Sequence, residues 1–158
     1  GSPVERAYAE IERRAHDRCE DMLSGMLRFQ NGVIGLLDVN WLTPTKVREL
    51  AVIGEGGMYL ADYLTQDVYY FKNAHVGDRL GTLGTFFNVQ EGEMIKLNFM
   101  KKEPLRRELE DFAEAVTENR SPAVTGEDGL RAVQVARMLL KSGTSHIIVS
   151  KDDPLCRS

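Results

Sequence analysis

Apolar residues follow a strand-like pattern through the first two-thirds of the chain and a helical one in the last third, and that order restricts the folds open to it. Between residues 4 and 13, Tyr and β-branched residues favour a strand over a charged helix. Residues 20–29 and 32–40 flank Gln30-Asn31-Gly32, whose Asn-Gly pair is a strong hairpin signal. Further strands are expected at 47–53, 58–62, 67–71, 85–90 and 94–99, with a polar surface loop over 73–83. Then the period changes. Leu105, Leu109, Phe112, Ala113 and Val116 recur at helical spacing and predict an amphipathic helix with one buried face. Thr125-Gly126-Glu127-Asp128 resembles a capping box with Asp in place of the usual Glu, opening a second helix that Ser142-Gly143 should end. Strands followed by helices is an α+β order. The expected fold is a large, mostly antiparallel, open-faced sheet with helices packed on one face, and a second subunit covering the other.

With 158 residues the chain is long enough for one well-buried core, so one domain over 1–158 is the default. A net charge of -4 argues against a nucleic-acid binder, and the short basic runs Arg13-Arg14, Lys101-Lys102 and Arg106-Arg107 lie beside acids and read as solvated faces. No apolar run is long enough to span a bilayer, and the N-terminus lacks a basic-then-apolar signal pattern, so no membrane partner and a cytoplasmic location are expected. Cys19 and Cys156 do not form a disulfide framework and are read as free thiols. Gly1-Ser2 reads as an expression scar or as the tail of a native turn, and the abrupt strand start as the beginning of a fragment. The tail at Lys151-Asp152-Asp153-Pro154 is expected to be disordered.

The richest candidate site is Asn40-Trp41-Leu42-Thr43-Pro44-Thr45-Lys46-Val47-Arg48. Pro44 fixes its own φ and pushes Thr43 into extended geometry, making a corner between two strands. Trp41, Lys46 and Arg48 would then gather at one rim of a sheet, where an aromatic plate and two cations suit a sugar or a phosphate-bearing ligand. The plain alternative is a hairpin with a packed Trp and solvated charges. Tyr63 and Gln66, in the polar stretch 62–67 beside a glycine turn, either hydrogen-bond a sugar or merely terminate a strand.

Other constellations are weaker. Gly54-Glu55-Gly56-Gly57 has Tyr59 where a dinucleotide fingerprint needs its third glycine, so a hairpin turn is expected there. His16, Asp17, Cys19, Glu20 and Asp21 cluster like metal ligands but lack a second His or Cys pair, and read as a polar turn with Glu20 and Asp21 solvated. No metal and no catalytic residue are assigned. Ser24-Gly25 is not a hydrolase elbow, which leaves Ser24 as a strand residue.

Several segments together resemble the C-terminal half of the Gfo/Idh/MocA oxidoreductases. They are residues 20–29, Asn31-Gly32-Val33-Ile34-Gly35, 40–50, Gly54-Glu55-Gly56-Gly57-Met58, 62–67, Leu109-Glu110-Asp111-Phe112 and Val124-Thr125-Gly126-Glu127-Asp128-Gly129. The nearest subgroup is the nucleotide-sugar 3-dehydrogenases acting on UDP-N-acetylglucosamine or its uronic acid. The resemblance implies an N-terminal Rossmann domain, absent from this chain, that binds NAD or NADP in the intact enzyme, with no cofactor expected on this chain alone. It also implies a C-terminal domain that shapes the pocket for a sugar or nucleotide-sugar substrate and pairs through its sheet into homodimers or homotetramers. The family's Glu-Lys-Pro lysine and Asp-x-x-x-His pair have no match here, so His16 takes no catalytic role. Trp41, Lys46 and Arg48, with Tyr63 and Gln66 as secondary candidates, are expected on the substrate side. The alternative is a stand-alone, non-catalytic ligand-binding or assembly module of the same fold.

Overall fold

The computed structural model describes residues 1–73 and 93–153. The expected strand at 85–90 and most of the loop at 73–83 lie outside these residues. The chain divides into two compact units, Gly1–Pro44 with Glu108–Ser158, and Thr45–Arg107.

The first unit holds β1 (Val4–Glu12), β2 (Met22–Phe29) and β3 (Ile34–Asn40). The β2–β3 hairpin forms where Asn31-Gly32 predicts it. Gly32 alone takes the left-handed step, at φ 89°, while Asn31 Oδ1 accepts from Val33 N. A short last strand, Val149–Ser150, pairs antiparallel with β1 and completes an all-antiparallel sheet. Counting along the chain it is β8, and the order is β3-β2-β1-β8.

The second unit holds β4 (Glu49–Gly54), β5 (Gly57–Asp62), β6 (Asp67–Lys72) and β7 (Met94–Leu97), paired antiparallel in that order. The α+β class therefore stands, but the described strands divide between two four-stranded sheets where the sequence suggested one large sheet. The division falls at Thr43-Pro44. Residues 41–48 leave strand geometry, so β3 and β4 do not pair, and β4 starts at Glu49 instead of Val47.

Two helices, α1 (Pro104–Glu118) and α2 (Gly126–Ser145), precede β8. The capping box is formed: Thr125 Oγ1 accepts from Asp128 N and Asp128 Oδ2 accepts from Thr125 N. Asp thus replaces Glu without losing either bond. The C-terminus of α2 lies beyond the expected stop. Ser142 and Gly143 are buried inside the helix, and His146 closes it in a left-handed conformation. Their small size serves packing rather than termination. A Cβ on Gly143 would come within 2.7 Å of Ile11 Cγ2, and Ser142 Oγ accepts from Ala9 N. Ala7, Ala9, Leu27, Met138, Leu139 and Val149 form the core between α2 and the first sheet.

Helix α1 departs from expectation. Leu105, Leu109, Phe112 and Val116 are exposed, and only Ala115 is buried, so no described element covers its apolar stripe. The tail is also more ordered than expected through Asp153. Lys151 N donates to Glu5 O, and Lys141 Nζ pairs with Asp153 at 2.5 Å. Among the described residues no helix is long and apolar enough to cross a membrane.

Candidate functional site

In the first unit the organising residue is Asp21, buried where its place in a polar turn predicts a solvated acid. It is 1% exposed. Its Oδ2 accepts from the backbone N–H of Arg14, Ala15 and His16 at 2.9, 2.6 and 3.0 Å, and its Oδ1 from Arg14 N at 3.0 Å. These donors, Ala15 first and then Arg14, hold the carboxyl below its ordinary range, because each bond favours the ionised form. Glu20 is not merely solvated either, since it pairs with Arg13. The carboxylates therefore fold the β1–β2 loop. Among the described residues no group of three His, Cys, Asp or Glu side chains is placed to hold a metal ion.

The same residue fixes the corner after β3. Asp21 O accepts from Trp41 N at 2.8 Å. Asn40 Oδ1 then accepts from Leu42 N, Thr43 N and Thr43 Oγ1, at 2.9 to 3.0 Å, turning the chain just before Pro44. The indole of Trp41 is left 81% exposed. It is not the packed Trp of a plain hairpin, and it presents a rigid aromatic face on a backbone pinned from two sides.

Lys46, Arg48, Tyr63 and Gln66 belong to the second unit. The expected rim shared by Trp41, Lys46 and Arg48 is not an edge of one sheet, since Trp41 follows β3 and the two cations precede β4. Lys46 and Arg48 are exposed. Arg48 O accepts from Tyr63 N at 2.9 Å, which places Arg48 and the exposed Tyr63 together at one end of the β4–β5 pair. The β5–β6 turn beside them is built by Asp62, whose Oδ1 accepts from Leu64 N and Thr65 N, and by Gln66 in a left-handed conformation at φ 54°. Those same N–H donors, Leu64 before Thr65, lower the Asp62 pKa. Gln66 Nε2 donates to Lys102 O at 2.9 Å, so its amide also ties the turn to the segment before α1.

Lys101 is more than a solvated cation. Its Nζ donates to Thr65 O at 2.6 Å and to Asp67 Oδ1 at 2.7 Å, while Lys96 reaches the same oxygen at 3.1 Å. The Lys101 contact first, and the Lys96 contact second, bring the Asp67 pKa down to about 2. A depressed carboxyl stabilises the fold above its unfolded value of roughly 4 and loses that contribution as pH falls toward the folded value. Titration of the Asp67 carboxyl by NMR is expected to show a midpoint near 2, and Lys101→Ala should move it upward. An ordinary midpoint in the unaltered chain would show that the lysines are solvated after all.

The glycine-rich run at 54–57 is a hairpin turn, as expected. Gly54 pairs with Gly57, no helix follows, and the carbonyls of Glu55 and Gly56 accept from Asn73 Nδ2 and Tyr70 Oη. This turn does not fit a dinucleotide cofactor, which needs backbone N–H groups converging at a helix N-terminus.

Residues 1–60 match the family model of the GFO/IDH/MocA C-terminal domain. No curated protein matches the sequence. Solved structures share the fold. UDP-N-acetylglucosamine 3-dehydrogenase GnnA from Acidithiobacillus ferrooxidans is 17% identical, with a TM-score of 0.76 over 91% of this chain and 43% of that one. Aldose-aldose oxidoreductase from Caulobacter crescentus, complexed with glycerol, is 18% identical, with a TM-score of 0.71 over 94% and 42%. The WlbA dehydrogenase from Bordetella pertussis, in complex with NADH and UDP-GlcNAcA, is 18% identical, with a TM-score of 0.62 over 94% and 39%. The chain thus spans less than half the length of each of these proteins.

Proposed function

We propose that the chain is the C-terminal domain, over residues 1–158, of an NAD(P)-dependent Gfo/Idh/MocA dehydrogenase of sugars or nucleotide sugars, supplying the substrate side and the oligomer contacts. The observation that supports this best is the coverage. More than nine-tenths of the chain aligns with under half of several such oxidoreductases, and its first 60 residues match the family's C-terminal domain. The nicotinamide cofactor, NAD or NADP, supplies hydride chemistry when bound to a Rossmann domain of the intact protein. This chain's residues bind and orient. The exposed indole of Trp41 offers a stacking face to a sugar ring, and Lys46 and Arg48 offer charge to a diphosphate or uronate. Tyr63 adds a phenol beside Arg48, and Gln66 shapes the turn next to it. A soluble cytoplasmic homodimer or homotetramer is the form that fits a nucleotide-sugar enzyme.

The coding DNA upstream of Gly1 is expected to encode a strand followed by G-x-G-x-x-G, a Glu-Lys-Pro motif and an Asp-x-x-x-His pair. A start codon at that point instead leaves a stand-alone binding or assembly module. In the intact enzyme, Lys46→Ala with Arg48→Ala should raise KM for the nucleotide sugar by roughly tenfold or more while NADH binding is unchanged, since a charge-assisted contact is worth about 1.5–3 kcal/mol. Unchanged KM and kcat would remove both residues from the substrate side.

A further inference from the structure

Glu49, Asp62 and Asp67 lie side by side on three adjacent strands at the end of the second sheet that carries Arg48 and Tyr63. Carboxylates set next to one another on one face of a sheet repel, and here two of them close the mouth of the β5–β6 hairpin. Asp62 turns its Oδ1 to the N–H groups of Leu64 and Thr65, and Asp67 takes both Lys101 and Lys96 on a single oxygen. Continuing the β4–β5 register one step sets Arg48 opposite Tyr63, both on the other face from this acidic row. Among the described residues neither Arg48 nor Tyr63 uses its side chain in a hydrogen bond or ion pair, and both are exposed.

Lys101 does more than neutralise an acid. Its Nζ also donates to Thr65 O, while the Gln66 amide donates back to Lys102 O. Two neighbouring residues of the segment before α1 are thus tied to three consecutive residues, 65 to 67, and each segment contributes a side chain to the other's backbone. The turn needs such holding. Gln66 stands at φ 54°, a conformation that costs a residue with a Cβ, and Tyr63 begins the same turn directly after β5. Exposed contacts of this kind add little to global stability, but together they fix the direction in which the turn leaves the sheet. The geometry points to Lys101 as a positioning residue for nucleotide-sugar binding, acting through Tyr63. It braces the turn at Thr65 and removes the repulsion between Asp67 and Asp62, so that the phenol stays beside Arg48. The inference rests on the proposed placing of Arg48 and Tyr63 on the substrate side, and adds the group that keeps them together.

The test is a double-mutant cycle in the intact enzyme, with UDP-N-acetylglucosamine as the probe and KM, kcat and NADH binding as readouts. Lys101→Met, which keeps the length of the side chain and removes its donors, should raise KM about fivefold with kcat and NADH binding unchanged. Lys101→Arg, which keeps a charged donor, should stay within about twofold of the unaltered enzyme. Tyr63→Ala should raise KM about tenfold, and adding Lys101→Met to it should cost less than about twofold more, because a positioning residue then has nothing left to position. Equal factors for Lys101→Met in the two backgrounds, or an unchanged KM for Lys101→Met beside a raised one for Tyr63→Ala, overturn the positioning role and leave the substrate side where it is. An unchanged KM and kcat for Tyr63→Ala, or an enzyme that does not oxidise the probe, overturns the proposed substrate side and the inference with it.

Discussion

Asp21→Asn should lower the melting temperature by roughly 5–10 °C near neutral pH, although the change is nearly isosteric. The carboxylate accepts from three consecutive backbone donors, and an amide replaces one of its oxygens with a group that itself donates. Either orientation of that amide leaves buried N–H groups opposed or unpaired. The pH dependence has a definite sign. Because the folded carboxyl titrates below its unfolded value of roughly 4, its contribution is present above that pH and disappears as pH falls through the folded pKa. The gap in thermal melts between the unaltered chain and the Asp21→Asn variant should therefore be full at pH 7 and close in strong acid. A gap that stays constant down to the acid limit would mean that the substitution acts by shape. His16→Ala is the control, because the exposed imidazole lies 3.6 Å from Oδ2 and is not needed for the three backbone bonds. The corner after β3 should loosen as well, since Asp21 O also holds Trp41 N.

Gly57→Ala should cost about 3 kcal/mol, read as a lower midpoint in urea, whereas Gly54→Ala should be close to neutral. Gly57 starts β5 at φ 152°, and a Cβ there would stand 2.2 Å from Phe71 O and 2.9 Å from the Tyr70 ring. The carbonyl belongs to the β6 backbone and cannot rotate away, so the β5–β6 pair must open at that end. Nothing lies within 4 Å of a Cβ on Gly54. Opening should also separate Tyr59 from Tyr70, whose ring centroids are 4.7 Å apart on adjacent strands. Equal effects from the two substitutions would show that loop entropy, not contact, governs this turn.

Local signals were legible where the chemistry is local. Asn31-Gly32 marks its hairpin, Thr125 and Asp128 mark a helix start, and the change from strand to helical period marks the α+β order, because each depends on neighbours within a few residues. Local pattern and final structure part where distant segments meet. Ser142-Gly143 carries the composition of a helix end but lies inside α2, because small residues there let Ala9 and Ile11 approach. Asp21 resembles any acid in a polar turn until the chain folds three N–H groups around it. Val149–Ser150 is too short to show a period and exists as a strand because β1 offers it an edge.

For the candidate site the division runs through the corner at residues 40–48. The residues by themselves determined which chemistry is on offer: an indole, two cations, a phenol and an amide suited to a sugar or phosphate-bearing ligand. Asn40 and Pro44 also fixed the turn, since a side-chain acceptor two and three residues from its donors and a locked φ act within the turn itself. Tertiary structure alone decided that Trp41 is exposed on a backbone anchored by Asp21, and that Lys46 and Arg48 lead into a different sheet. Sheet membership and burial depend on pairings between strands far apart in the chain, and no local spacing encodes which edge a strand will meet.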